Sequence, residues 1–260
     1  MTEYDDATHP AGDAFFGPER NWLASRLLSS DPRIRHAVST RRMLESPSER
    51  EALVRRLLRM LGWGEEPLCL AEQAHGGAVA TVRAEDLVSL GFDRVKEYAG
   101  VDALVTQAKG VTLAIFTADC VPILFGDAEA GVIGAAHAGW RGTLARVVRR
   151  ALEAAFALGA RPERVRLWLG PAISGRAYEV SAELAERFAR EFPACARAAV
   201  SGRQVALSEI NRSEALAMGL REWNVSVSGL CTRVWPSDLC SYRASGEDAG
   251  RMASAISLRP

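Results

Sequence analysis

Three side chains capable of metal binding or nucleophilic attack stand in two chemically dense phrases of the sequence. Cys120 and His137 follow the apolar runs VTLAIF and GVIGAA, and His75 lies upstream in the phrase EQAHGG. Thiolate sulfur and imidazole nitrogen are ligands that zinc prefers, and a catalytic zinc keeps three protein ligands and one open position. These three residues therefore form a candidate zinc site, and copper accepts the same donors.

The same residues also permit a reaction without a metal. Cys120 would then be a nucleophile and His137 its base, as in acyl transfer. The zinc site ranks first because His75 has no role in such a pair. Asp119, directly before Cys120, would orient a histidine or carry a proton, and it would serve equally well to cap the turn before Val121.

An anion site is predicted directly after the second histidine. The phrase WRGT leads into a segment whose periodicity predicts a helix over about 143–158. The free N–H groups at a helix start and the guanidinium of Arg141 both attract phosphate or carboxylate. Further along the chain, Tyr178 and Arg243 are candidates to hold a flat polar ligand.

The composition is that of an ordinary globular protein. The chain has 260 residues, of which 48% are hydrophobic and 25% charged. Its 32 basic and 32 acidic residues cancel, so charge gives no argument for nucleic acid or a membrane surface as a partner. Five scattered cysteines without a C-x-x-C pair, no long apolar run and an acidic N-terminus predict a cytoplasmic location.

Strands and helices alternate without a repeat or a linker, which predicts a single α/β domain over residues 21–260 with mixed sheets and outer helices. Residues 1–20 are predicted to be a loose tail that joins the fold around Phe15 and Phe16. Strands are predicted over 68–71, 78–82, 103–106, 111–116, 131–136, 165–169, 225–227 and the segment GRMASAISL. Helices are predicted over about 49–61, with a capping box formed by Ser48 and Glu51, and over 143–158, 182–191 and 209–222.

Taken together, the phrases resemble the purine nucleoside phosphorylase family that was once called laccase-domain or polyphenol oxidoreductase. The resemblance runs from about residue 36 to the end of the chain. It is carried by Q-x-H-G at His75, A-D-C-x-P at Cys120, A-H-A-G-W-R-G at His137, G-P-x-I with Y-E-V at 170–180, C-T at 231–232, S-Y-R at 241–243 and G-R at 250–251.

The resemblance implies zinc bound by the three residues singled out above. It also implies phosphorolysis of adenosine, inosine and methylthioadenosine to base and sugar 1-phosphate, with adenosine deamination as an additional activity. Nucleoside and phosphate would be the partners, and Arg41, Arg141 and Arg243 would be candidates to hold phosphate or ribose. The implied fold is a layered α/β/β/α arrangement similar to cytotoxic necrotizing factor toxins, which use a Cys/His pair for deamidation.

The sequence departs from the family pattern where substrate would be contacted. After Ser39-Thr40-Arg41 the chain continues RMLESPSERE, without the glycines and asparagine that are usual there, and the late phrase reads LCSYRA rather than F-F-S-Y-R-R. A different nucleoside, a Cys–His amidase or deamidase, and a non-catalytic metal-binding relic therefore stay open. A blue multicopper oxidase is excluded, because four histidines are too few for its three-copper cluster.

Overall fold

The computed structural model describes residues 12–44, 50–64, 66–88, 90 and 94–259. The strands in this part of the chain are β1 (Ala14–Phe16), β2 (Trp22–Ser25), β3 (Ile34–Ser39), β4 (Leu68–Ala71), β5 (Val79–Val82), β6 (Val95–Tyr98), β7 (Ala103–Thr106), β8 (Thr112–Thr117), β9 (Val121–Asp127), β10 (Val132–Ala138), β11 (Arg166–Leu169), β12 (Val200–Ser201), β13 (Gln204–Val205), β14 (Val225–Val227) and β15 (Met252–Leu258). The α-helices are α1 (Arg26–Ser29), α2 (Arg50–Met60), α3 (Ala84–Val88), α4 (Trp140–Leu144), α5 (Val147–Ala157), α6 (Ala182–Glu191), α7 (Ala196–Ala199), α8 (Leu207–Ala217) and α9 (Tyr242–Ser245).

Two mixed sheets carry most of the strands. The seven-stranded sheet has the order β1-β2-β3-β15-β8-β4-β6, and the six-stranded sheet has the order β14-β11-β9-β10-β7-β5. Strand β4 runs parallel to both β6 and β8, and β5 runs parallel to β7. Most other neighbours are antiparallel, as β9 and β10 are. The predicted mixed α/β sheets in one domain are thus confirmed.

Both sheets are covered on both faces, and strand β8 shows how. Leu113 and Ile115 belong to the core between the two sheets, whereas Ala114 and Phe116 belong to the core under α2. Successive side chains of a strand point to opposite faces. A strand with two buried faces therefore reads as one continuous apolar run, which is why TLAIFT shows no polar alternation.

The cores lie in three layers, and they establish the α/β/β/α arrangement. Helix α2 packs on the outer face of the seven-stranded sheet through residues that include Leu57. The middle layer contains Leu124 and the fully buried Trp168 from the six-stranded sheet. Helices α5 and α8 cover the far face of that sheet through residues that include Leu152 and Ile210.

Most predicted elements are present within one or two residues of their expected bounds, and β4, β7, β14 and α6 match them fully. One prediction is wrong. The helix expected over 143–158 is two helices, because Arg146 adopts a left-handed conformation with φ 56° and ψ 43°. This turn brings the Arg146 guanidinium to Glu214 and to the carbonyl of Glu191.

Other differences lie at the chain ends and the helix boundaries. Residues 14–16, within the predicted tail, pair with β2 and extend the seven-stranded sheet, while residues 1–11 lie outside the described residues. Ser48 of the predicted capping box also lies outside them. The helix predicted over 209–222 runs from 207 to 217 and stops before Gly219, whose φ is 91°. In the described part of the chain, no helix has the length and apolar character needed to cross a bilayer.

The contact between Gly134 and Phe125 in neighbouring strands generates a stability prediction. The two residues are register partners in β9 and β10, and a Cβ atom at position 134 would lie 2.1 Å from Cζ of Phe125. We expect Gly134→Ala to lower the free energy of unfolding by about 1–3 kcal/mol through overpacking, measured by urea denaturation. Phe125→Leu should relieve part of that loss in the double variant, and strict additivity of the two changes would contradict the steric explanation.

Candidate metal centre

Three short segments cross from the seven-stranded sheet to the six-stranded sheet. Residues 72–78 join β4 to β5, residues 99–102 join β6 to β7, and residues 118–120 join β8 to β9. Because β4, β6 and β8 run parallel, their carboxyl ends meet at one edge of the sheet. Side chains on these three crossovers are therefore brought together at that edge, far apart in sequence but adjacent in space.

The three predicted ligands converge at this edge. His75 lies on the first crossover, Cys120 on the third, and His137 near the end of β10 opposite Pro122. Their ligand atoms all lie within 4.8 Å of one another. His75 is exposed, Cys120 is half-buried and His137 is buried, so the group is open to solvent on the His75 side.

Asp102, on the second crossover, orients both histidines. Its fully buried carboxylate accepts hydrogen bonds from the backbone N–H groups of His75 (2.9 Å) and Gly76 (2.6 Å). The same carboxylate lies 2.8 Å from Nδ1 of His137. A carboxylate only accepts hydrogen bonds, so Nδ1 carries a proton and Nε2 is the nitrogen that remains to bind a metal ion. Such a partner is what a metal-binding imidazole needs to keep its tautomer and its orientation.

The His75 loop, which we define as residues 72–78, is strained. Gln73 and His75 have φ values of 68° and 60°, and a left-handed conformation costs a residue other than glycine roughly 1–2 kcal/mol. The side-chain amide of Gln73 offsets part of this cost: it accepts from the N–H of Phe116 (2.7 Å) and donates to its carbonyl (2.6 Å). Strain that is held by side-chain contacts is typical of functional loops.

The electrostatics of the group favour ionisation of the thiol. Burial alone would raise the pKa of Cys120, but hydrogen bonds with His137 and His75 lower it to about 7. Burial alone would lower the pKa of His137, but its hydrogen bonds to Asp102 and Cys120 raise it to about 9. A thiol that ionises readily beside two imidazoles is a donor set suited to a thiophilic metal ion.

Gly139 leaves the space around the donor atoms open. A Cβ atom at this position would lie 3.0 Å from Sγ of Cys120, 3.5 Å from Cδ2 of His75 and 3.9 Å from Cε1 of His137. The backbone of Gly139 is extended (φ −76°, ψ −178°), so space rather than conformation favours glycine here. One sulfur and two nitrogen donors around this opening fit zinc or copper.

The candidate metal-binding group opens into a cavity of about 590 Å³. Volumes of this size are typical of small-molecule sites. Besides the three predicted ligands, the described residues that line it are Arg50, Glu72, Gln73, Phe116, Ala118, Asp119, Trp140, Arg141, Tyr178, Tyr242, Arg243, Glu247 and Arg251.

Three of the predicted binding residues line this cavity. The guanidinium of Arg141 lies 4.1 Å from the ring centroid of Trp140, and that of Arg243 lies 5.1 Å from the ring of Tyr178. Burial raises the pKa of Tyr178 to about 12, so its hydroxyl stays protonated at neutral pH. Helix α4 has only five residues, so the long helix whose start was expected to attract an anion does not begin beside Arg141.

Asp119 lines the cavity as suggested, but its carboxylate is engaged within the protein, and Arg41 lies elsewhere. Both carboxylate oxygens of Asp119 accept hydrogen bonds, one from Oγ1 of Thr232 (2.6 Å) and one from the N–H of Arg243 (2.6 Å). Asp119 thus holds the segment that carries Arg243, and proton transfer by it stays a prediction. Arg41 begins a short 3₁₀ helix, Arg41–Met43, and does not line the cavity among the described residues.

Sequence reasoning missed Asp102, Arg50 and Gln73. A signal for Asp102 was present in the phrase VDALVT, where one acidic residue begins an apolar strand. An acidic residue at the start of a buried strand is itself buried, and a buried carboxylate needs hydrogen-bond partners. Gln73 stood in the Q-x-H-G phrase but was given no role of its own, whereas Arg50 carries no comparable signal, since it lies among ordinary polar residues.

The position of Asp102 generates a prediction for metal binding. We expect Asp102→Asn to weaken affinity for zinc or cobalt about 10- to 100-fold. The amide has one oxygen acceptor in place of two, so its NH₂ group would face one of the three N–H donors that the carboxylate accepts from. The measurement is competition with a chromophoric chelator, with circular dichroism as the control for folding. A folded variant with unchanged affinity would contradict the orienting role.

Comparisons with known proteins show which family the chain resembles. A family model described as multi-copper polyphenol oxidoreductase laccase matches residues 40–259. A relative from Deinococcus radiodurans named purine nucleoside phosphorylase is 40% identical over an alignment of 210 residues that covers 78% of this chain and 75% of the relative. A relative named adenosine deaminase, from an unknown prokaryotic organism, is 32% identical over 77% of this chain and 78% of its own length.

Solved structures show the same fold. The crystal structure of YlmD from Geobacillus stearothermophilus has a TM-score of 0.79 and 27% identity, covering 95% of this chain and all of that one. A protein from Neisseria meningitidis has a TM-score of 0.74 and 27% identity, covering 92% of this chain and all of that one. The extent of these matches shows that the chain belongs to the polyphenol oxidoreductase laccase family, which includes the relative named purine nucleoside phosphorylase.

Proposed function

We propose that this protein is a metal-dependent purine nucleoside phosphorylase that also deaminates adenosine. The observation that carries the proposal is the group of His75, Cys120 and His137 at a cavity that also presents Arg141 and Arg243. The names of the relatives support the same two activities. Zinc is the proposed metal, with copper as the ion that the same donors also accept.

The donor set supports a catalytic rather than a structural metal. Three protein donors are the number that a catalytic zinc uses, and the exposed His75 would leave a bound ion accessible to solvent. A zinc ion held there supplies Lewis acidity and lowers the pKa of water. The protein's own contribution is to favour ionisation of Cys120 through the two histidines, to orient the His137 imidazole through Asp102 and to hold the His75 backbone through the same carboxylate.

Phosphorolysis sets a further requirement that the arginines meet. The reaction breaks the bond between C1′ and a purine nitrogen and forms a bond between C1′ and a phosphate oxygen, so phosphate must be held close to the sugar. The contacts of Arg141 and Arg243 in the described part of the chain are with aromatic rings and a backbone carbonyl, not with carboxylates. Their charges are thus available to a phosphate, and Tyr178 adds a hydroxyl donor beside Arg243.

A second function is favoured by one observation. The Asp102 carboxylate contacts the His137 imidazole, and the imidazole in turn contacts the Cys120 thiol. A nucleophilic cysteine with an oriented base has the same chain of contacts. This arrangement supports a Cys–His amidase or deamidase acting on an acyl group. The first proposal is preferred because His75 also contacts the thiol and has no role in such a triad.

Cys120 separates the two proposals. We expect Cys120→Ala to lose the metal and all nucleoside cleavage while the fold survives, because the site loses its only sulfur donor. Metal content and phosphate-dependent release of free base from adenosine, inosine and methylthioadenosine are measured on one sample. Full cleavage by the variant would contradict the metal proposal, and inhibition of metal-stripped, still active protein by alkylation of Cys120 would favour the amidase.

Arg141 provides the test for phosphate. We expect Arg141→Gln to raise the KM for phosphate about 10- to 100-fold and to leave the metal content unchanged, since a hydrogen bond to a charged group contributes about 1.5–3 kcal/mol. The matched control is Arg176→Gln, since Arg176 is exposed and does not line the cavity. A normal phosphate KM in the Arg141 variant would remove this residue from the phosphate site.

A further inference from the structure

We propose that Arg50 is a positioning residue for the metal centre, which holds the His75 loop in the conformation that presents its imidazole to Cys120 and His137. This role rests on the proposed function, because it assumes a metal at that group. Arg50 is the first residue of α2, and α2 lies in the outer layer of the fold. Its side chain nevertheless reaches the wall of the metal-site cavity.

The His75 loop depends on contacts from outside itself. Gln73 and His75 both adopt left-handed backbone conformations that residues other than glycine rarely take. Asp102 binds the loop on one side through the N–H groups of His75 and Gly76. On the other side the loop is bound through the side-chain amide of Gln73, which pairs with both backbone polar groups of Phe116.

Arg50 completes this second attachment. Its Nη2 atom donates to the carbonyl of Ala71 (2.8 Å), directly before the loop, and approaches Oε1 of Gln73 at 3.4 Å. The guanidinium carbon lies 4.4 Å from the ring centroid of Phe116, the residue with which Gln73 pairs. One planar group therefore contacts the strand end, the Gln73 amide and the aromatic ring together.

The chemistry of these contacts favours arginine. A guanidinium donates several hydrogen bonds in one fixed plane while that plane stacks on an aromatic face, whereas a lysine ammonium is a compact point charge that reproduces only part of these contacts. The ion pair of Arg50 with Glu97 (3.1 Å) does not explain the arrangement. Its side chains are 35% and 49% exposed, and exposed ion pairs contribute little.

The test measures metal affinity without substrate. Arg50→Met keeps the aliphatic stem, Arg50→Lys keeps the charge, and Arg59→Met is the matched control, since Arg59 lines a neighbouring cavity on the same helix but not the metal-site cavity. The probe is Co²⁺, titrated against a chromophoric chelator, with its absorption spectrum as a second readout of ligand geometry. We expect Arg50→Met to weaken affinity about tenfold and to change the spectrum, Arg50→Lys to recover part of the affinity, and Arg59→Met to match the wild type.

Gln73 provides an internal check. If Arg50 acts through Gln73, then Arg50→Met should cost much less affinity in a Gln73→Ala background than in the wild type, because the link is already absent. Equal losses in both backgrounds would overturn the proposed route.

The remaining outcomes are also decisive. Wild-type affinity and spectrum in Arg50→Met overturn the positioning role, as does an equal loss in Arg59→Met. A raised KM for nucleoside with unchanged Co²⁺ affinity overturns it too, since Arg50 would then be a substrate contact. A wild-type protein that binds no Co²⁺ overturns the proposed function together with this role, whereas tight wild-type binding with an unaffected variant overturns this role alone.

Discussion

The buried carboxylate of Asp102 is the interaction on which the rest of the site depends. It accepts one hydrogen bond from a side chain and two from backbone N–H groups, and all three come from the two segments that carry the histidines. A carboxylate buried without such partners would be strongly destabilising. The same contacts therefore satisfy its charge, shape the His75 loop and select the tautomer of His137.

The layered fold explains why this carboxylate and its partners meet. Each crossover starts in the seven-stranded sheet and ends in the six-stranded sheet, so it is held at both ends by rigid strands. Groups held on rigid elements keep their geometry better than groups on free loops. The surrounding cavity wall comes instead from α2, α4 and the segments around Tyr178 and Arg243, and part of this wall differs from the family pattern in sequence.

The sequence was sufficient for the features that depend on local pattern. Covered strands read as apolar runs, and His75, Cys120 and His137 stood out because reactive residues follow such runs at turns. Asp102 could not be assigned in this way, since its partners are 26 to 35 residues away and only the topology brings them close. Strand β9 was missed because Pro122, at its second position, is unfavourable inside most sheets.

The crossovers have a consequence for how the protein folds. Two donors, from His75 and Cys120, lie on segments that link the two sheets, and the third, from His137, lies in the six-stranded sheet. The site therefore exists only after the sheets have docked. Binding of an ion to the native chain alone would stabilise it by mass action. Such an ion would link the two sheets across their interface, and its release would accompany their separation.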